Sequence, residues 1–153
     1  MYQLSRAAID TSVIIEYTDE MGGLHRETET LFNAFLTGKL EAIIPHPILV
    51  ETYYVASRLY RQLGIPDPQG KSQRLIERLY RLPQVSIIGG GLGLAAEAGK
   101  AKLNYDLALM DCILAASKIY DCKTVFRRVG EEMLRKIDDL ERDYQILFLE
   151  AYK

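Results

Sequence analysis

Short apolar runs alternate along the whole chain with longer segments of mixed polarity. LSRAAID, residues 4–10, reads as a first strand that stops at DTS. Residues 25–39, HRETETLFNAFLTGK, carry their apolar residues on one helical face and end at Gly38, which suits a helix terminus. LEAIIP, 40–45, is a short buried strand halted by Pro45. Residues 47–64 open on Pro47 and close on Gly64, the asymmetry that favours a helix. A second amphipathic helix is expected over 68–83, a strand over 84–88, and further helices over 93–103 and 107–120. CKTVFR, 122–127, and YQILFLE, 144–150, read as closing strands. Short strands between longer helices predict an α/β fold: one domain over 1–153, a three-layer sandwich around a mostly parallel sheet of about five strands.

Composition narrows the class without naming a function. A hydrophobic fraction of 48% and a charged fraction of 26% are those of an ordinary globular domain. No run approaches the ~20 apolar residues that span a bilayer, so no membrane association is expected. The opening MYQLSRAAID lacks the cationic head and apolar stretch of a signal peptide. The two cysteines, Cys112 and Cys122, fit reduced thiols rather than a disulfide framework. Together these predict a cytoplasmic protein. A formal charge of −2 argues against wholesale coating by nucleic acid but allows a local basic patch.

Candidate chemistry begins with carboxylates where apolar residues are expected. LALMDCILAAS, 107–117, holds a single charge, Asp111. Asp10 closes the first predicted strand, and Glu51 interrupts the packing face of PILVETYYVA. An isolated buried charge is costly unless it is paired, hydrogen-bonded or bound to metal. The plainer account is a helix cap for Asp10 and arginine partners for the other two. The same exception on three core elements favours convergence instead. Converging carboxylates repel, so they call for a divalent cation, and all-oxygen ligands favour Mg²⁺ or Mn²⁺. GGGLGLAA at 89–96 approaches a dinucleotide fingerprint, but it follows the third strand and lacks an acid where a ribose would need one. A phosphoacceptor receiver would need an aspartate after that strand, where QVSIIGGG has none.

AIDTSVIIEY, ILVETYYVA and YDLALMDCILAAS, in that order, resemble the PIN domain as found in VapC-type toxin ribonucleases. The resemblance implies a metal-dependent ribonuclease, the toxin of a toxin–antitoxin pair, with an acidic cluster at the carboxyl edge of a parallel sheet. Asp10, Glu51 and Asp111 would be its catalytic and metal-binding acids, with Mg²⁺ or Mn²⁺ as cofactor. Thr11 and Ser12 would orient the Asp10 carboxylate or a bound water, or simply cap a helix. The implied partners are RNA, a small antitoxin and a second copy of the chain. The helices at 47–64 and 72–82 would supply the protein-binding surfaces.

One motif departs from the pattern. A T-x-D-x-D turn is common after the fourth strand of the family, but here RRVGE stands there. Arg127 replaces the threonine, Val129 replaces the first aspartate, and Glu131 falls at the second. Ala108 also stands where a serine is usual. The fourth acid is thus absent or moved to Glu131. This keeps an alternative open, a catalytically weak PIN-like module that binds RNA or a partner protein. Arg127 and Arg128 read either as phosphate contacts or as solvated charges. His25 and His46 are isolated and lack zinc-ligand spacing, which suits surface or structural roles. The tyrosines of YYVASRLY suit packing or an interface more than base stacking.

Overall fold

The computed structural model describes residues 5–153. Leu4, at the start of the first predicted strand, lies outside the described residues, as do the first three residues of the supposed leader-free start. The chain begins with β1 (Ser5–Ile9), α1 (Thr11–Thr18), α2 (His25–Leu36), β2 (Leu40–Pro45), α3 (His46–Gln62), α4 (Pro68–Arg81) and β3 (Val85–Ile88). It continues through α5 (Leu92–Tyr105), α6 (Leu109–Ala115), β4 (Lys123–Phe126), α7 (Glu131–Leu134), α8 (Ile137–Asp143) and β5 (Ile146–Phe148). The five strands form one sheet in the order β3-β2-β1-β4-β5, and every pairing is parallel.

That order positions the site. From β1 the chain steps outward to β2 and β3, then returns across the sheet to β4 and steps the other way to β5. Right-handed crossovers place the helices of the two halves on opposite faces. Accordingly α1 packs on α2 and α3, and α3 packs on α4, while α5 packs on α6. The two directions part between β1 and β4, and a crevice opens there at the carboxyl ends of the strands. Ala7 pairs with Lys123 and Ile9 with Val125, so Asp10 and Arg127 leave neighbouring strands at the same edge. Ala8 and Ile9 are fully buried in β1, which is covered on both faces as a central parallel strand must be.

The predicted strands and α2 to α5 stand within a few residues of their expected limits. Three segments differ. DTS does not simply end β1, because α1 starts there, capped by Asp10. The predicted helix over 107–120 is α6 followed by a 3-10 turn, Ala116–Tyr120, which ends on Asp121 at φ 57°. Residues 131–143, unassigned from the sequence, form α7 and α8. Among the described residues no helix is long and apolar enough to cross a membrane.

Candidate metal centre

Asp10 is both the cap of α1 and a wall of the crevice. Its Oδ2 accepts the Ser12 backbone N–H at 3.1 Å and the Ser12 hydroxyl at 2.5 Å. No protein hydrogen bond falls on Oδ1 among the described residues. The capping account and the site account of Asp10 therefore hold together, one oxygen serving each. Ser12 Oγ also accepts the Arg127 N–H at 3.3 Å, tying α1 to the segment after β4. Thr11 does not share that role. Its side chain is buried, and its hydroxyl donates to the Ile48 carbonyl at 3.4 Å, pinning α1 to α3.

Asp111, in the first turn of α6, faces Asp10 across the crevice. The two line a cavity of about 310 Å³ together with Ser12, Arg127, Arg128, Glu131 and Glu132. Burial pushes the Asp111 carboxyl up to about 6, and the charges of Asp10, Glu51 and Glu132 add to that rise. Glu51, half-buried on α3, stands outside the cavity wall, yet its charge still reaches Asp111. No ion pair neutralises Asp111 among the described residues. The plainer expectation of an arginine partner for Asp111 is not met.

Glu131 and Glu132 both line the cavity, and of the two it is Glu132 whose charge acts on Asp111. Glu132 carries no signal in the sequence, because RRVGE, 127–131, has the composition of a turn and gives no sign of the helix that follows. The four-residue helix α7 carries both glutamates in its first turn. Val129 is not in the cavity wall; it packs against the core, and its N–H donates to Glu150 Oε1 at 3.0 Å.

Among the described residues no ready-made cluster of three metal-ligating side chains is formed. The donor set nevertheless fits a hard divalent cation. It is carboxylate only, mutually repelling, partly buried and open to water that can complete a coordination shell. His25 stacks on Tyr17 with ring centroids 6.3 Å apart and plays no part here. Cys112 and Cys122 are buried free thiols.

A fourth lone carboxylate in an apolar run, Glu16 of TSVIIEYT, was passed over in the sequence although the signal was the same. It is buried, and there the plainer account holds. Its Oε2 accepts from Arg127 Nη1 at 2.9 Å and its Oε1 from the Leu24 N–H at 2.6 Å. Arg127 is thus an ion-pair partner rather than a solvated charge.

A PIN-domain family model matches residues 7–140. The chain belongs to the PIN-domain family. Solved structures share the PIN fold at low sequence identity. A VapBC complex from Rickettsia felis, bound to a DNA fragment from its promoter, is 12% identical with a TM-score of 0.64. That match covers 94% of this chain and 98% of the other. The Mycobacterium tuberculosis toxin described as cleaving the sarcin–ricin loop is 13% identical at a TM-score of 0.62, over 84% and 94% of the two chains. A VapBC structure from nontypeable Haemophilus influenzae is 14% identical at 0.61, over 95% and 98%. No curated protein matches the sequence.

Proposed function

We propose that this PIN domain is a metal-dependent ribonuclease and the toxin of a toxin–antitoxin pair. The observation that carries the reading is the gathering of Asp10, Asp111, Glu131 and Glu132 around one cavity, where burial and then neighbouring carboxylates raise the Asp111 pKa. These acids would hold Mg²⁺ or Mn²⁺, in part through water. An ion held by these residues would supply Lewis-acid chemistry for phosphodiester hydrolysis. Ser12 fixes Asp10 through Oδ2 and leaves Oδ1 without a protein hydrogen bond among the described residues. Burial and the neighbouring acids hold the Asp111 carboxyl up at about 6 in the metal-free protein.

The antitoxin reading draws support from the toxin–antitoxin complexes among the structural relatives. It also draws support from a groove of about 780 Å³ between α2 and α4, floored by Tyr17, Phe32 and Tyr60. Exposed Tyr54 and Tyr80 on α3 and α4 leave surface for a second copy, the homodimer reading. The cytoplasm is the proposed compartment. The absence of an acid at Val129, which packs against the core, favours one second reading: a binding module with little catalysis.

The test is incubation of the pure protein with structured and unstructured RNAs in Mg²⁺, Mn²⁺ or EDTA. Cleavage that needs metal and disappears in Asp111→Asn supports the nuclease. RNA that is bound but left intact under every condition would move the assignment to the binding module.

A further inference from the structure

The cavity that gathers carboxylates also carries two arginines, and their surroundings differ. Arg127 is engaged by buried Glu16. Arg128, the next residue, lines the same cavity, is exposed, and forms no ion pair among the described residues. Its Nη2 stands 3.8 Å from the point that a β-carbon at Gly23 would occupy, and Lys153 Nζ stands 3.9 Å from that same point. Two cationic heads therefore approach the same point beside Gly23, one of them, Arg128, from the cavity wall. Glu150, in the turn that leads to Lys153, forms no ion pair with either among the described residues; its Oε1 accepts the Val129 N–H.

Two cationic heads near one another, neither held in an ion pair among the described residues, favour an anion that both can reach. An anion with several oxygens suits an arginine fork beside an ammonium. The surroundings favour a nucleic-acid phosphate. The acidic centre repels a polyanion, and a chain of net charge −2 offers no general attraction, so local cations must bring the backbone in. We infer that Arg128 and Lys153 form a phosphate-holding subsite that grips the RNA backbone beside the carboxylate cavity. This rests on RNA being the substrate class proposed above.

Labelled single-stranded RNA titrated into the full chain in EDTA, across a range of NaCl, tests the subsite apart from catalysis. Arg128→Gln is expected to weaken binding about tenfold and to reduce the slope of log affinity against log salt by about one. Lys153→Gln should give a smaller loss of the same kind. Arg128→Lys should keep the slope and recover part of the affinity. A merely structural role would lower the melting temperature without changing the slope. In a cleavage assay, Arg128→Gln should raise KM more than it lowers kcat. Unchanged affinity and slope in both neutral variants would overturn the subsite, leaving the pair to a protein carboxylate, even if the enzyme cleaves. Salt-sensitive binding that depends on Arg128, without cleavage, would uphold the subsite and overturn the nuclease. No RNA binding at low salt would overturn both.

Discussion

At neutral pH the Asp111 side chain meets two influences that both disfavour its charge: burial, then three neighbouring acids. Its folded pKa, about 6, lies above the ordinary 3.8. A carboxyl raised in this way stabilises the fold relative to the unfolded chain only while protonated. In EDTA the stability contributed by Asp111 should be complete below pH 3.8 and decline as pH rises through about 6. Asp111→Asn should accordingly stabilise the metal-free protein at pH 8 by about 1 kcal/mol, less than a dry interior would give because the carboxyl still reaches water. The gain should vanish at pH 4. Urea denaturation at the two pH values measures both, and destabilisation at pH 8 would show that Asp111 has a hidden cationic partner. Glu16 should behave in the opposite way. Glu16→Gln leaves Arg127 without its partner and weakens the bond to Leu24 N–H, so it should destabilise by about 2 kcal/mol. That is below the range for fully buried pairs because Arg127 is 40% exposed. The two residues look alike in the sequence, and what separates them is whether the fold brings them a cation or more anions.

At the scale of elements, the segment from Arg127 to Leu134 decides how the site is completed. Val129 faces the core and holds Glu150 through its N–H, whereas Glu131 and Glu132 line the cavity from α7. Val129→Asp should therefore bury a charge near an existing glutamate and lower stability without tightening Mn²⁺ binding. Glu132→Gln should weaken Mn²⁺ binding several-fold and Glu131→Gln less, as read by the Mn²⁺-induced rise in melting temperature. Tighter Mn²⁺ binding in Val129→Asp would mean that the turn adopts the usual family register after all. This segment was hard to read because α7 buries only Met133 and offers no periodicity. α1 was hidden for a different reason. Val13, Ile14 and Ile15 are β-branched and favour strands, so the helix depends on the Asp10 cap and on burial of Val13 and Ile14. By contrast, α3 was plain from Pro47 and Gly64, and β2 from Pro45.

For the whole molecule, the alternation of strands and helices announced a parallel sheet, and the lone acids Asp10, Glu51 and Asp111 were visible as exceptions to it. Neither pattern contains the strand order. That order sets Asp10 beside the end of β4 and brings the 131–132 glutamates to a crevice shared with residues from the start of the chain. Periodicity reports which face of an element is apolar; it carries no information on which element lies next to which. Convergence of the acids was therefore an expectation resting on resemblance and repulsion, and Glu132 could not be found before its helix was placed.

The pairing of β1 with β4 has a consequence for synthesis. Ser12 and Arg127, joined through Ser12 Oγ, lie 115 residues apart in the chain. A ribosome delivers β1, β2 and β3 long before β4, so β1 first pairs on its β2 side alone. Until Lys123 to Phe126 emerge, its other edge is an unpaired strand, open to wrong partners. A nascent chain that stops before β4 carries Asp10, Glu51 and Asp111 but lacks the far wall of the cavity and both flanking glutamates. The cavity is therefore incomplete while the chain is being made, and its second wall arrives only as the segment from β4 onward folds onto the first strand.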